Sequence, residues 1–210
     1  MGQDRFPPKD RPQATVSRRF CPPWGLPEQG LTALLPAVTL IGSMERSMQK
    51  ILVSRCLLGH RVRYDGGAHG PFDLLQQWLD EGRVVALCPE VAGGLPTPRP
   101  PAEIPGGRGS AVLDGQLPVL TIDGEDVTAA FVDGAEQALA LVREHGIALA
   151  LLKARSPSCG NLENYDGSFS GARVAGEGVT AALLKRAGVK VFNEEQLLEM
   201  AQALAELDAG

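Results

Sequence analysis

Apolar positions fall along this chain in two registers. Compact apolar runs at 51–54, 84–87, 147–152 and 189–192 are each bounded by polar, Gly or Pro residues, as buried strands are. Between them apolar residues recur at helical spacing. Phe72, Leu75, Trp78 and Leu79 predict a helix that Pro71 opens and Gly82 closes. Residues 127–145 predict a second helix, capped by Asp126 or Thr128 and ended by Gly146. A third is capped by Thr180, runs through Lys185 and ends at Gly188. Asn193 caps a last one over 194–207, with Leu197, Leu198, Ala201 and Leu204 facing the sheet. Ala111–Leu113 and 119–122 flank Asp114-Gly115, which predicts a small hairpin. Strands alternating with amphipathic helices mean βαβ units. The expected fold is α/β: an open parallel sheet of about four strands with helices on both faces, Rossmann-like, plus a small hairpin insertion.

The pattern begins only near Met48. Residues 1–47 hold Pro7, Pro8, Pro12, Pro22, Pro23, Pro27 and Pro36 and show neither period. Ser17-Arg18-Arg19-Phe20 before a short apolar run faintly resembles a twin-arginine signal, but the run is broken and no small-residue cleavage site follows. The expected organisation is a disordered or misannotated extension over 1–47, with Met44 and Met48 as alternative starts, and a single α/β domain over 48–210. The expected location is the cytoplasm.

Composition narrows the partners. A net charge of −5 gives no general attraction to nucleic acid or to an anionic membrane. No apolar run reaches the roughly 18–20 residues a membrane span needs. Gly (25) and Pro (16) are abundant, which implies many shaped loops on a compact scaffold. The long stretch 91–107, with seven Gly and Pro between Gly93 and Pro105, is such a loop and is expected to be functional.

The four cysteines are Cys21, Cys56, Cys88 and Cys159, and none forms a C-x-x-C pair. That spacing disfavours a zinc ribbon or a thioredoxin-like site. Cys56, Cys88 and Cys159 each follow a predicted strand, Cys159 inside Ser156-Pro157-Ser158-Cys159-Gly160. In an open parallel sheet the carboxyl ends of the strands share one edge, where ligands bind. Three distant cysteines should therefore meet. They could be buried apolar residues, a zinc site completed by His60 or His69, ligands of an iron–sulfur cluster, or a nucleophile at Cys159 activated by Lys153 and Arg155, a histidine base being the weaker reading.

Residues 53–59, 63–66, 88–91, 93–99, 153–160 and 165–171 contain Val-Ser-Arg-Cys-Leu-Leu-Gly, Arg-Tyr-Asp-Gly, Cys-Pro-Glu-Val, Gly-Gly-Leu-Pro-Thr-Pro-Arg, Lys-Ala-Arg-Ser-Pro-Ser-Cys-Gly and Tyr-Asp-Gly-Ser-Phe-Ser-Gly. In that order they resemble the thiouracil desulfidase family, long known as a domain of unknown function, over about 50–210. The resemblance implies a [4Fe–4S] cluster held by Cys56, Cys88 and Cys159, with the fourth iron open to the sulfur of a thiolated pyrimidine such as 4-thiouracil or 2-thiouracil. The products would be uracil and sulfide. The second domain of members that act on thiolated RNA has no counterpart here, so the expected partner is a thiolated nucleobase or nucleoside. Oligomeric state is not legible. The alternative of another class is a sensor or binding protein whose Cys₃ site holds zinc or a cluster without turnover.

Desulfuration also needs a proton carrier. Glu90, two residues past Cys88, is the first candidate, against a structural pairing with Arg99. Ser156 and Ser158 bracket Pro157 and could orient water or substrate, though serines in such loops often bond backbone. Lys153 could offset thiolate charge. Asp65 and Asp166 read as turn formers, and Glu103 as a partner of Arg99 or Arg108. Residues 176–181 match G-x-G-x-x-A without a strong preceding strand. That disfavours a dinucleotide and leaves a substrate oxygen or anion at the helix start as the better reading.

Overall fold

The computed structural model describes residues 48–70 and 72–210. The expectations for residues 1–47, including the extension, its targeting reading and Cys21, and for Pro71 as a helix opener lie outside the described residues. The elements are β1 (Ile51–Ser54), α1 (Asp73–Asp80), β2 (Val84–Leu87), α2 (Pro89–Ala92), β3 (Ala102–Glu103), α3 (Gly109–Leu113), β4 (Leu120–Thr121), α4 (Thr128–His145), β5 (Leu149–Leu152), β6 (Glu163–Tyr165), β7 (Arg173–Ala175), α5 (Val179–Arg186), β8 (Lys190–Asn193) and α6 (Leu197–Ala209).

The expected sheet is present: four parallel strands in the order β2-β1-β5-β8. Side chains alternate between its faces, as the two-residue period of a strand requires. Leu52, Ala150 and Leu152 pack with Ala138, Leu139 and Val142 of α4 and Ala181 and Leu184 of α5. Ile51, Val53, Leu149 and Leu151 pack with Leu75 and Trp78 of α1 and Met200 and Leu204 of α6. Each fully buried Leu, Ile or Val contributes about 1.5–3 kcal/mol, so this double-sided core carries most of the stability.

Strand register places the functional edge. Ser54 lies opposite Leu87 in β1–β2, and Leu152 opposite Asn193 in β5–β8. All four carboxyl ends therefore finish level, and the residues after them share one rim.

Several local expectations change. Ala111–Leu113 is helical, within α3, and Leu120–Thr121 pairs instead with Ala102–Glu103. A second antiparallel pair joins β6 and β7. The helix after Gly178 starts at Val179, with Gly178 rather than Thr180 at its cap. Asn193 does cap the last helical segment, in a capping box with Gln196. A 3-10 turn, Glu194–Gln196, precedes α6 and rotates its phase, so Leu198 points out at 78% exposure and Met200 is buried in its place.

Two glycines set how α2 meets α4. A Cβ on Gly134 would lie 2.0 Å from the Pro89 carbonyl oxygen, and one on Gly93 1.9 Å from that of Ala130. Only backbone against backbone fits there, and this contact seats the turn that carries Cys88 and Glu90.

Candidate active site

Each cysteine is placed by a different local device. Cys56 sits in a 3-10 turn, Arg55–Leu58, that Gly59 closes with φ +83°. Its carbonyl accepts the His69 N–H at 2.8 Å. Cys88 occupies the cap of α2 with Pro89 in the first helical position, where a missing N–H costs nothing. Cys159 lies in a loop fastened by α5. The carbonyls of Pro157, Ser158 and Gly160 accept N–H groups of Val179, Thr180 with Ala181, and Gly178. These are the otherwise unpaired donors of a helix start.

That fastening overturns the expectation of an anion or substrate oxygen at this helix terminus, because its donors are taken. It also explains the glycines of residues 176–181. A Cβ on Gly178 would sit 2.3 Å from the Ser158 carbonyl carbon, and one on Gly176 2.3 Å from the Gly107 oxygen. The motif serves close backbone packing.

Cys56, Cys88 and Cys159 are free thiols that line one cavity of about 390 Å³, together with Glu90, Lys153 and Ser156. A cavity this size is ordinary for a small-molecule site. Burial pushes the Cys56 thiol up to about 11, with Cys88 adding to the shift, while Lys153 and Arg63 pull against it. Burial raises Cys88 also. Cys159 is 5% exposed and is raised most, again by burial, although the Ser54 hydroxyl works the other way. None is a ready thiolate near neutral pH, so a nucleophile activated by Lys153 and Arg155 does not fit. Lys153 is instead paired with Glu194, and Arg155 with Glu195.

Two buried thiols and a partly buried one, each costly to ionise alone, suit a cationic metal centre, which takes them as thiolates. Among the described residues no group of three His, Cys, Asp or Glu converges as a single ion requires. The zinc site completed by His60 or His69 is therefore not formed; His69 lies against Arg63 and lines a separate cavity. Three cysteine thiolates on one cavity are the ligand type of an iron–sulfur cluster, in which each thiolate takes its own metal atom.

A family model described as 2-thiouracil desulfurase matches residues 51–196. The chain belongs to the 2-thiouracil desulfurase family. A curated relative, the uncharacterized protein YbbK of Bacillus subtilis (strain 168), is 47% identical over 147 residues, 70% of this chain and 97% of that protein. A solved structure named [4Fe-4S]-dependent thiouracil desulfidase TudS (DUF523Vcz) is 53% identical, with a TM-score of 0.68 over 75% of this chain and 98% of that one.

Within this desulfurase framework the acid–base candidates separate. Glu90 pairs with Arg99, whose Nη2 lies 2.6 Å from Oε2, and also lines the cavity, so the structural pairing does not take it out of the site. Ser156 Oγ donates to Glu90 Oε1 at 3.1 Å and accepts the Ser158 and Cys159 N–H groups, both at 3.1 Å. Ser158 is fully buried, shares a 2.9 Å hydrogen bond with Thr180 Oγ1 and does not line the cavity. Asp65 and Asp166 accept backbone N–H groups two residues on, as turn formers do.

Two contributors, Ser54 and Glu194, were missed from the sequence, and a third, Glu103, was given the wrong partner. Ser54 Oγ donates to Cys159 Sγ at 3.5 Å and accepts the Lys153 N–H at 3.1 Å. Glu194 holds the Lys153 ammonium and accepts the Ala154 N–H at 2.8 Å. Glu103 pairs with neither Arg99 nor Arg108 but accepts the N–H groups of Gly167 and Phe169 at 2.9 and 3.0 Å. The strand-end rule would have found Glu194, which follows the fourth strand as the cysteines follow the other three.

Proposed function

We propose that this chain is a [4Fe–4S]-dependent desulfidase that converts a thiolated pyrimidine such as 4-thiouracil or 2-thiouracil to uracil and sulfide. The observation that carries this reading is the meeting of Cys56, Cys88 and Cys159 with Glu90 and Ser156 around one cavity. The three cysteines would hold the cluster. When bound, such a cluster supplies a soft Lewis acid with an open position for sulfur.

The net reaction exchanges a thiocarbonyl and water for a carbonyl and hydrogen sulfide, and no electron changes hands. The protein's task is to move protons. Glu90 is poised for it: its carboxylate takes a proton from the incoming water and returns it to the departing sulfur. Arg99 on Oε2 keeps that carboxylate oriented toward the cavity. Ser156, with two N–H groups on its oxygen and its own hydrogen aimed at Glu90 Oε1, links Glu90 to the Cys159 loop and holds that carboxylate in place. Ser158 holds the loop to α5 and takes no part in the proton path.

Purification without oxygen tests this. Iron, acid-labile sulfide and sulfide release from 4-thiouracil or 2-thiouracil are expected. A colourless zinc-loaded protein that releases no sulfide would sink it.

A further inference from the structure

The loop between β6 and β7 closes one side of the cavity, and a single buried carboxylate shapes it. Glu103 is 9% exposed. Its Oε2 accepts the N–H groups of Gly167 and Phe169. Phe169 is one of two described non-glycine residues with a left-handed backbone, φ +56°, a conformation that costs a bulky side chain energy and persists only where neighbours hold it. Gly167 packs so closely on Pro105 that a Cβ would lie 2.6 Å from the Pro105 Cα. Glu103 and Phe169 both line the cavity that holds the three cysteines.

The other oxygen of Glu103, Oε1, meets no donor among the described residues. It is not sealed in either, because the fully buried side-chain atoms left without a partner are both on Asn164. Glu103 lines the cavity, and this oxygen is neither sealed nor partnered. The other charged groups of the lining are engaged, apart from Arg55, which can only donate. Arg63 pairs with Asp65, Lys153 with Glu194 and Arg155 with Glu195. Both oxygens of Glu90 take donors, from Arg99 and Ser156. Glu103 Oε1 is thus the one carboxylate oxygen of the lining with no donor among the described residues, and the freest to receive a hydrogen from a ligand.

A thiolated uracil offers such a hydrogen. Its N3–H stands between C2 and C4, next to the sulfur whichever carbon bears it. We propose that Glu103 is the specificity-determining acceptor for this ring N–H, and that it holds Phe169 as the apolar face against which the planar ring lies. The proposal rests on the thiolated-pyrimidine reading above. A charged acceptor strengthens the bond to an N–H, and a ligand lacking that hydrogen leaves the oxygen desolvated and unpaired.

The test uses cluster-loaded protein and calorimetric titration with uracil, 1-methyluracil and 3-methyluracil. Wild-type protein should bind 3-methyluracil at least about tenfold more weakly than uracil, and 1-methyluracil within about threefold of uracil. The 1-methyl isomer carries the same bulk with N3–H intact. In Glu103→Gln the amide oxygen can still accept from Gly167 and Phe169, which turns the NH₂ toward the cavity. Uracil binding should then weaken at least about tenfold and the discrimination against 3-methyluracil collapse. Equal binding of uracil and 3-methyluracil by wild-type protein, equal loss for both methyl isomers, or an unchanged Glu103→Gln profile would each overturn the proposal. If the variant fails to fold, the methylated ligands, which leave the protein untouched, decide. Wild-type protein that is loaded but releases no sulfide from either thiouracil overturns the reaction itself, a result separate from the binding series.

Discussion

Ser54 gives its hydroxyl hydrogen to Cys159 Sγ across 3.5 Å, and its oxygen is already occupied by the Lys153 N–H. The hydroxyl has one hydrogen, and the sulfur is its recipient in the structure. A residue at the end of β1 thereby fixes the charge environment of a sulfur more than a hundred residues away. Hydrogen bonds to ligand sulfurs stabilise the more electron-rich state of a cluster. Ser54→Ala is expected to lower the reduction potential of the loaded protein by on the order of tens of millivolts and to cost about 1 kcal/mol of stability. Potentiometric titration followed by electron paramagnetic resonance checks this, and an unchanged potential would count against the bond.

The ligand assignment makes a sharper demand. Cys56→Ser, Cys88→Ser and Cys159→Ser should each lose most of the bound iron and acid-labile sulfide, with turnover down at least about 100-fold. Cys21→Ser should retain both. Iron and sulfide analysis of the four variants decides it, and loss confined to the Cys21 variant would show the assignment to be wrong.

Glu90 and Ser156 differ in expected weight. Glu90→Gln removes the proton carrier and should lower kcat by about 10²–10⁴-fold with KM little changed. Ser156→Ala removes a donor that orients Glu90 and a capping oxygen for two N–H groups, so both kcat and stability should fall, by about tenfold and about 1–2 kcal/mol. Ser158→Ala should affect stability and leave kcat within about threefold. Steady-state sulfide release combined with denaturant unfolding separates the three.

Glu194 carries a pH dependence. Burial alone would raise its carboxyl, but the Lys153 ammonium and the Ala154 N–H outweigh it and hold the group below the usual carboxylate range. A carboxyl depressed in the folded state adds stability above its unfolded pKa, about 4.3, and loses that contribution as pH falls through the lower folded value. Glu194→Gln should therefore be less stable than wild type at pH 7, by about 1–3 kcal/mol for a half-buried pair. The gap should close steadily below about pH 4.3. Denaturant midpoints of both proteins at pH 7 and across pH 3–5 test the sign.

The sheet and the meeting of Cys56, Cys88 and Cys159 were legible because strand runs and the residues just past them are local signals. The geometry of parallel strands then does the rest. What escaped was decided by distant packing. Ala111–Leu113 is a short apolar run, and such a run does not reveal by itself whether it is strand or helix. Leu197 and Leu198 are adjacent on a helix and cannot both face a sheet; the 3-10 turn before them chose Leu197. Ser54 gave no sign because a serine at a strand end is commonplace, and its partner is remote in sequence. Glu103 was matched with nearby arginines by charge, whereas the structure matched it with the backbone of a loop beyond Tyr165.

The docking of the Cys159 loop onto α5 bears on how the protein acquires its cofactor. Small zinc domains fold only when their metal gathers the ligands. Here helix donors and close-packed glycines fasten the loop that carries Cys159, so the cost of ordering that loop falls on chain folding and not on the cofactor.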